Sequence, residues 1–265
     1  MSQITDTEKT ALVTGAARGI GLATAKSFLA DGWRVALLDN DAETLAATMR
    51  KLDAGEQTLR LDADVAEADQ VDAAMAAVSR QFGRLDALVN NAGIAIFGPI
   101  METSLEDWSR VLAVNLGGPF ICTKAAVPLM LQTGGGSVVN ITSISSLRAS
   151  TLRVAYGTSK AGLAHLTQQQ AVELGGLGIR VNAVAPGPVD TAMSKAVHTP
   201  AIRADYHDAI PLNRYGLEQE IAAAIRFLCS DAASYVNGQM LAVDGGFEAT
   251  GIGLPTLRRD AEGGG

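Results

Sequence analysis

Seven short apolar runs, separated by alanine-rich segments with helical spacing, constrain the fold of this chain more than any other feature. The runs do not alternate apolar with polar residues, which is typical of strands covered on both faces. Strands and helices that alternate through short joints predict an α/β fold: a doubly wound parallel sheet of the Rossmann type, in three α/β/α layers. The predicted strands are 11–15, 34–39, 58–64, 85–93, 136–143, 179–187 and 239–246, and the clearest helices are 19–31, 41–53, 67–82 and 218–230.

The organisation of the chain predicts a single domain over residues 1–265. We find no linker, no low-complexity tract and no repeat of solenoid length in it. Residues 190–216 interrupt the strand–helix rhythm, and a long insertion after a strand is typical of a substrate loop. The glycine-rich tail, residues 249–265, is expected to be flexible.

The charge and the cysteine content exclude several classes of function. A formal net charge of -7 and a pI of about 5.0 disfavour contact with nucleic acid or anionic membrane. No stretch approaches the roughly 20 apolar residues of a membrane-spanning helix, and the start of the chain does not resemble a secretory signal. Cys122, Cys229 and the three histidines show no metal-like spacing, so no metal site is expected. Isolated cysteines of this kind are typical of buried thiols in a reducing compartment, which predicts a cytoplasmic protein.

A glycine-rich loop joins the first predicted strand to the first helix, with Gly15, Gly19 and Gly21 as its glycines. Glycine allows a sharp turn and a close approach of the backbone to another molecule. The free N–H groups and the positive dipole end of the following helix suit a pyrophosphate. Taken alone, the loop is equally compatible with a tight turn that only packs the helix on the strand.

Asp39, at the end of the second predicted strand, lies where an acid can accept hydrogen bonds from an adenosine ribose. A carboxylate there would repel a 2′-phosphate, whereas Arg18 in the glycine loop could attract one. Because Arg18 can turn into solvent, Asp39 has the larger effect on the cofactor preference. NAD is therefore favoured over NADP. The alternative role for Asp39 is to cap the next helix, although Asn40 or Asp41 could cap it equally well.

Tyr156 and Lys160 are four residues apart in a helical segment, so their side chains share one face. A nearby ammonium favours the phenolate and lowers the pKa of a tyrosine. This pair predicts a general acid/base for the interconversion of an alcohol and a ketone. The alternative is two amphipathic side chains on an ordinary helix, because this spacing is common by chance.

Polar residues at further strand ends point to the same chemistry. Ser143 follows the fifth predicted strand, and the run Asn90-Asn91-Ala92-Gly93 ends the fourth. Asn115 is a polar amide in an otherwise apolar helical pattern, where it needs a hydrogen-bonding partner. The carboxyl ends of the strands in a doubly wound sheet are where ligands bind. Strand-end capping is the alternative role for Ser143, and stitching of the sheet edge is the alternative for the two asparagines.

Together these motifs resemble the short-chain dehydrogenase/reductase family, in its shorter members of about 250 residues. The resemblance runs in order from Lys9 to Phe247. It implies that Tyr156 exchanges a proton with the substrate oxygen and that Lys160 lowers the pKa of Tyr156 and holds the nicotinamide ribose. It also implies that Ser143 hydrogen-bonds the substrate oxygen, while Asn115 holds a water that feeds a proton relay.

The resemblance implies a cofactor site as well. The adenosine and pyrophosphate would contact the glycine loop and Asp39, and the adenine would contact Asp64 and Val65. Asn91 would lie on the ribose side of the cofactor. The nicotinamide amide would contact Val189 and Thr191. The full predicted set is Gly15, Arg18, Gly19, Ile20, Gly21, Asp39, Asp64, Val65, Asn91, Ala92, Gly93, Tyr156, Lys160, Pro186, Gly187, Val189 and Thr191.

The expected function is that of an NAD(H)-dependent oxidoreductase that interconverts a secondary alcohol and a ketone. A small hydroxylated substrate, such as a sugar or polyol, is favoured. The alternatives are a 3-oxoacyl-type carbonyl reductase that uses NADPH and a non-catalytic sensor that only binds the dinucleotide. The resemblance further implies a homotetramer.

Overall fold

A computed structural model describes residues 9–251, in which seven strands form one parallel sheet. The strands are β1 (Thr10–Thr14), β2 (Arg34–Asp39), β3 (Thr58–Asp62), β4 (Ala87–Asn90), β5 (Gly136–Ile141), β6 (Ile179–Pro186) and β7 (Met240–Val243). All seven predicted strands are present. Most of the predicted runs extend past the observed carboxyl end of their strand, because those last residues form loops at the edge of the sheet.

The strand order in the sheet is β3-β2-β1-β4-β5-β6-β7. The chain therefore winds outwards in one direction from β1 to β3 and then returns to continue from β4 on the other side of β1. Ligands of doubly wound sheets bind at the carboxyl ends of the strands where this order reverses. Here that point lies between β1 and β4, so the glycine loop after β1 and the asparagine run after β4 are neighbours.

Helices cover both faces of the sheet. The helices of the described range are α1 (Gly19–Ala30), α2 (Ala42–Leu52), α3 (Ala68–Phe82), α4 (Leu105–Leu112), α5 (Gly118–Leu131), α6 (Val154–Gly175), α7 (Ala192–Val197), α8 (Pro200–Ala209) and α9 (Glu218–Cys229). One core cluster holds side chains of α1, α2 and α9, and the other holds side chains of α3, α5 and α6. The predicted three-layer α/β/α Rossmann-type fold is confirmed.

The alternation of side chains along β1 shows how the two core clusters share the sheet. Ala11 and Val13 belong to the cluster under α1 and α9, whereas Leu12 belongs to the cluster under α3 and α5. Successive side chains of a strand point to opposite faces. Since all five residues of β1 are buried, an apolar run without alternation is what this strand requires.

Residues 190–216, predicted as a substrate loop, contain the two short helices α7 and α8. The segment leaves β6 and returns to a single backbone bridge between Val189 and Gly216. Of the predicted flexible tail, 249–265, only residues up to Gly251 lie in the described range, and residues 252–265 lie outside it.

The segment Leu105–Leu131 corrects one sequence-based expectation. It comprises α4, a π-helical turn at Ala113–Gly117 and α5. By length and composition alone it is long and apolar enough to cross a membrane, although no such stretch was expected. Cys122, Ala126 and Met130 pack in the core beside α3. Core packing therefore accounts for part of this apolar character, and a core helix meets the same criterion as a spanning one.

Candidate active site

A cavity of about 770 Å³ opens along the carboxyl ends of the strands, from β3 across the switch point to β6. This volume is in the range of ligand sites. Of the predicted site residues, the cavity is lined by Gly15, Arg18, Gly19, Ile20, Asp39, Asp64, Val65, Asn91, Ala92, Gly93, Ser143, Tyr156, Lys160, Pro186, Gly187, Val189 and Thr191. The structure places the other two, Gly21 and Asn115, behind this surface.

The glycines at the start of the cavity are required by packing as well as by any ligand. Gly15 has φ +63°, and a Cβ on it would lie 2.8 Å from the Cα of Ala92. A Cβ on Gly21 would lie 2.1 Å from the Gly15 carbonyl oxygen. The loop after β1 is thus pressed between α1 and the loop after β4. The alternative interpretation, a tight turn that packs helix on strand, describes Gly21 correctly.

The amino terminus of α1 fits an anionic group. Among the described residues, no side chain caps α1 and no acidic residue lies in its first turn. Gly19 has φ +61°, and a Cβ built on it approaches only the tip of the Glu218 side chain, at 3.8 Å. Free N–H groups and the helix dipole at such a terminus suit the pyrophosphate of a dinucleotide.

Asp39 is held firmly at the end of β2. One carboxylate oxygen accepts a hydrogen bond from the Ala17 N–H and the other from the Asp41 N–H, both at 3.0 Å. The cap of α2 is Asp41, which accepts from the Thr44 N–H. Arg18 forms an ion pair with Asp41 while most of its side chain is exposed to solvent. Asp39 is therefore not the helix cap, and its carboxylate is fixed on the cavity wall.

The residues beyond β3 form the far end of the cavity. Asp64 accepts hydrogen bonds from the Ala66 N–H and from the Asn40 side-chain amide, at 3.0 and 3.2 Å. Val65 is buried, and a Cβ on Gly118 would approach its side chain to 2.7 Å. This arrangement leaves a shallow apolar wall with a carboxylate at its edge, which is compatible with an adenine ring.

The asparagine run after β4 has a structural task. The Asn91 side-chain amide donates to the carbonyl oxygens of Thr14 and Gly15, at 2.9 and 3.0 Å. Asn90 donates to the Asn140 side chain inside a buried polar network. The stitching role is thus correct for both, and Asn91 also lines the cavity. Thr14, which is not among the predicted site residues, accepts from the Asn91 and Ala92 N–H groups through its hydroxyl.

Asn115 lies in the π-helical turn, fully buried. Its side-chain oxygen accepts from the Ile94 N–H at 2.8 Å, and its amide donates to the Ile94 carbonyl and to the Ser159 hydroxyl. The amide therefore ties the loop after β4 to α6. π-Helical turns are frequent at functional sites, and the predicted role in a proton relay stays a prediction.

Three side chains of the predicted chemistry meet beside the end of β5. The Ser143 hydroxyl accepts from the Ser145 N–H at 3.1 Å, so Ser143 does cap a short turn, while it also faces the cavity. The Lys160 ammonium nitrogen lies 5.8 Å from the ring centre of Tyr156 and donates to the Ile141 carbonyl at 2.7 Å. An ammonium has three N–H donors. Within residues 9–251 this is its only hydrogen bond, so two donors remain for a ligand such as a ribose.

The pKa values at this site differ from the sequence-based expectation. Burial raises the pKa of the Tyr156 phenol above its usual value, against smaller lowering effects of the hydrogen bond with Ser143 and the charge of Arg153. Burial lowers the pKa of Lys160 to about 8. Lys160 is not among the groups that lower the pKa of the phenol here, so its predicted effect on Tyr156 stays a prediction. Loss of hydration penalises both charged forms, and the ammonium is directed at a backbone carbonyl.

The segment after β6 supplies the remaining predicted residues. The Thr191 hydroxyl accepts from the Ser194 N–H, so it caps α7, and Thr191 also lines the cavity. A Cβ on Gly187 would lie 2.7 Å from the Cα of Asp244, so β6 and the end of β7 are in close contact. Asp190 forms ion pairs with Lys195 and Arg203 that join α7 and α8 to the end of the sheet.

The substrate side of the cavity lies beyond Tyr156. Its wall comes from the loop after β4, the start of α6 and the segment α7–α8, and its side chains are Phe97, Ser150, Arg153, Val197, His198, Tyr206 and Phe247. In the part of the chain that the structure describes, no group of three potential metal ligands occurs. The rings of Phe97, Tyr206 and Phe247 and the guanidinium of Arg153 make these surroundings aromatic and cationic.

Comparisons with known proteins agree with this geometry. A family model described as enoyl-(acyl carrier protein) reductase matches residues 15–248. The chain is 44% identical over 247 residues to 2-(R)-hydroxypropyl-CoM dehydrogenase of Xanthobacter autotrophicus, covering 91% of this chain and 99% of that protein. It is 42% identical over 243 residues to 3-oxoacyl-[acyl-carrier-protein] reductase of Synechocystis, covering 91% and 97%.

The fold also matches solved structures. A gluconate 5-dehydrogenase from Burkholderia cenocepacia, in complex with NADP and tartrate, superimposes with a TM-score of 0.86 at 34% identity, covering 91% of this chain and 95% of that one. Together with the matches over nearly the whole chain, this likeness identifies the family. The chain belongs to the short-chain dehydrogenase/reductase family, and it is an oxidoreductase that acts on alcohols or their carbonyl counterparts.

Proposed function

We propose that the protein is an NAD(H)-dependent dehydrogenase that interconverts a small hydroxylated secondary alcohol and its ketone. The observation that carries this proposal is the cavity itself, which joins a fixed carboxylate at one end to Tyr156, Ser143 and Lys160 at the other. A site that only bound a dinucleotide would not need a phenol and a hydroxyl beside a buried ammonium. The enzyme is therefore favoured over the sensor.

The residues of the site have distinct tasks in this reaction. When bound, a nicotinamide dinucleotide supplies the hydride chemistry, accepting two electrons and a hydrogen from the carbinol carbon. Tyr156 takes the hydroxyl proton during oxidation and returns it during reduction. Ser143 hydrogen-bonds the same oxygen, and Lys160 offers its two remaining donors to ribose hydroxyls. Oxidation thus yields the ketone, the reduced cofactor and one proton.

The raised pKa of Tyr156 gives the two directions different pH dependences. At neutral pH the phenol is protonated and can act as the acid for ketone reduction. Alcohol oxidation needs the phenolate, so its rate should rise with pH. The hydrogen bond with Ser143 and the charge of Arg153 act against burial and lower the pKa of Tyr156. They therefore increase the fraction of phenolate at a given pH.

The choice of NAD rests on Asp39. Its carboxylate is held by two backbone N–H groups and cannot leave the cavity wall without losing both hydrogen bonds. A 2′-phosphate beside it would meet an unneutralised like charge, and such a juxtaposition costs several kcal/mol. The guanidinium of Arg18, which could attract that phosphate, forms an ion pair with Asp41. The NADP named with the gluconate 5-dehydrogenase belongs to that protein.

The substrate preference has support from the cavity and from the relatives. The substrate side combines aromatic rings with Ser150, Arg153 and His198, which suits a small molecule with several polar groups. The names of the relatives include a hydroxypropyl compound and gluconate. The acyl-carrier-protein reductase among the relatives supports the second candidate, a 3-oxoacyl reductase, but that role would favour NADPH.

Initial rates with NAD and NADP against a panel of secondary alcohols, sugars, polyols and hydroxy acids would test the proposal. We expect turnover with NAD, and we expect Tyr156→Phe to lower kcat by roughly 100- to 10,000-fold while NADH binding, followed by fluorescence, is retained. Preferred turnover of a 3-oxoacyl thioester with NADPH would instead support the second candidate. NADH binding without turnover of any compound would support a sensor.

We further propose a homotetramer in the cytoplasm. Apolar side chains that are exposed on α5 and α6, among them Phe120, Leu131 and Val172, are available for contact between subunits. The two cysteines are buried as free thiols, which fits a reducing compartment. Light scattering coupled to size-exclusion chromatography measures the assembly directly, and a monomeric mass would contradict it.

A further inference from the structure

The guanidinium of Arg153 places a positive charge at the substrate side of the cavity. Arg153 precedes α6 and lies three residues before Tyr156. Its guanidinium carbon is 4.8 Å from the ring centre of Phe97 and 6.0 Å from that of Tyr156. The aromatic faces hold the cation in the cavity wall, next to the hydroxyl that exchanges the proton.

Arg153 has no counter-charge in the described part of the chain, residues 9–251. No hydrogen bond and no ion pair engages it, whereas Arg148 on the same loop faces Glu248 at 3.8 Å and Arg203 pairs with Asp190 at 3.0 Å. A guanidinium carries five N–H donors in a planar fork. Those of Arg153 are half-buried and remain available to a ligand.

The carboxylates that line the cavity cannot neutralise Arg153. They are Asp39 and Asp64, which follow β2 and β3, whereas Ser143 and the start of α6 follow β5. With about 4.8 Å between adjacent strands, three and four strand spacings separate them, or roughly 14 and 19 Å. The substrate side is therefore a cationic pocket without an acid of its own.

The opposite wall is polar but does not carry a negative charge. The His198 ring nitrogen Nδ1 lies 3.0 Å from the Tyr215 hydroxyl, and the His198 ring packs against Tyr206. Burial, together with the charges of Arg153 and Arg203, lowers the pKa of His198. The imidazole of His198 and the phenol of Tyr206, which both line the cavity, can therefore hydrogen-bond a substrate while Arg153 supplies the charge.

We infer that Arg153 binds an oxyanion of the substrate, and that the preferred substrates are secondary alcohols that carry a carboxylate or a similar acid group a few bonds from the carbinol. This inference rests on the proposed dehydrogenase function and narrows it to hydroxy acids and keto acids. A planar fork that meets a carboxylate in two parallel hydrogen bonds also fixes the orientation of the substrate. Tyr156 then meets one oxygen of a molecule whose other end is anchored.

Matched pairs of acids and neutral amides test the inference. The probes are the 2- and 3-hydroxy acids of four carbons and the 2-, 3- and 4-hydroxy acids of five carbons, all secondary alcohols, each compared with its own amide at saturating NAD. For the wild type we expect a higher kcat/KM for the acids, carried mainly by KM. Arg153→Gln should lower kcat/KM for the acids by roughly 10- to 100-fold and leave the amides little changed, while Arg153→Lys should restore part of the loss.

The ratio of kcat/KM for an acid to kcat/KM for its amide separates binding of the anion from other effects of Arg153. The charge of Arg153 also lowers the pKa of Tyr156, but that effect would change both members of a pair equally. Arg148→Gln removes the same charge from the same loop without touching the cavity and should keep the wild-type ratio. An equal loss for acids and amides in Arg153→Gln would overturn the inference and leave the dehydrogenase function intact.

Binding provides a readout that does not depend on turnover. Titration calorimetry of the same acids and amides into the NADH complex should show tighter binding of the acids, and Arg153→Gln should remove the difference. If no acid binds more tightly than its amide, the inference is wrong, whatever the activity. If acids bind tightly but nothing is oxidised, the dehydrogenase function fails and the anion site stands.

Discussion

The buried ammonium of Lys160 should make the stability of the fold depend on pH, and Lys160→Met should remove that dependence. Burial lowers the pKa of Lys160 from 10.5 to about 8. Between these two values the unfolded chain binds a proton that the native chain does not, so the free energy of unfolding rises with pH. At about 1.4 kcal/mol per pKa unit, the penalty amounts to roughly 3 kcal/mol near neutral pH, where the ammonium is charged in both states.

Raising the pH from about 7 to about 9.5 should remove roughly 2 kcal/mol of the cost of burying the Lys160 ammonium in the wild type. The variant has no ammonium and should lack this change. At neutral pH it escapes the penalty but leaves the Ile141 carbonyl without the donor that Lys160 provides, at a cost of about 1–3 kcal/mol. The net gain in stability at neutral pH is therefore about 0–2 kcal/mol, together with a loss of turnover.

Urea unfolding at a series of pH values, followed by the fluorescence of the two tryptophans, measures this difference. The titrations are made without dinucleotide and stay below pH 10, where the tyrosines of the unfolded chain begin to lose their protons. Burial raises the pKa of Cys122 to about 12 and that of Cys229 to about 11, so both thiols lower the free energy of unfolding as the unfolded thiols ionise near pH 9. Because this effect is the same in both proteins, the quantity compared is the difference between the wild type and the variant at each pH. Lys124→Met, which removes an exposed lysine of α5, serves as the matched control and should follow the wild type. Parallel pH curves for the wild type and Lys160→Met would refute the argument, because the ammonium would then be no harder to charge in the native protein than in the unfolded one.

Three further changes test other parts of the site. Asp39→Ser should raise kcat/KM with NADP relative to NAD by at least roughly tenfold, and the loss of its two backbone hydrogen bonds should destabilise the fold by about 1–3 kcal/mol in urea titrations. Gly21→Ala should destabilise by about 3 kcal/mol or more, because the Cβ would press on the Gly15 carbonyl; Gly176→Ala, which meets open space, should be nearly neutral in thermal unfolding. Asp190→Asn should loosen α7 and α8, which should raise KM for the alcohol roughly two- to fivefold and leave kcat little affected. The rate of amide hydrogen exchange in α7 and α8 should rise as well.

The fold could be predicted from the sequence because its signals are local. A parallel sheet covered on both faces needs apolar runs without alternation, and β1, β2 and β4 have them. The predicted strands extended too far because polar residues such as Asn91 and Ser143, which follow the apolar runs directly, were included although they have left the ladder. The polar residues at those ends were nevertheless the correct indication of where the cavity lies.

Other features depend on contacts that the sequence does not contain. Spacing placed Lys160 one turn from Tyr156, but the sign of the pKa shift of the phenol depends on burial, which no spacing reveals. The partners of Asn115 are the backbone groups of Ile94, 21 residues away. That no acid faces Arg153 is visible only in the structure.

The two ends of the cavity differ in how far their polar groups are paired within the protein. At the adenosine end the polar groups already have protein partners: Asp39 is held by two N–H groups, and Asn91 is bonded to the glycine loop. At the other end Lys160 and Arg153 keep unused donors in a poorly hydrated wall. A ligand that accepts from these donors relieves the burial penalty, and it should raise the pKa of Lys160 back towards its ordinary value. The unused donors of Lys160 and Arg153 thus provide a driving force for binding, because preorganised charge in a dry site favours a ligand of opposite charge far more than it would in water.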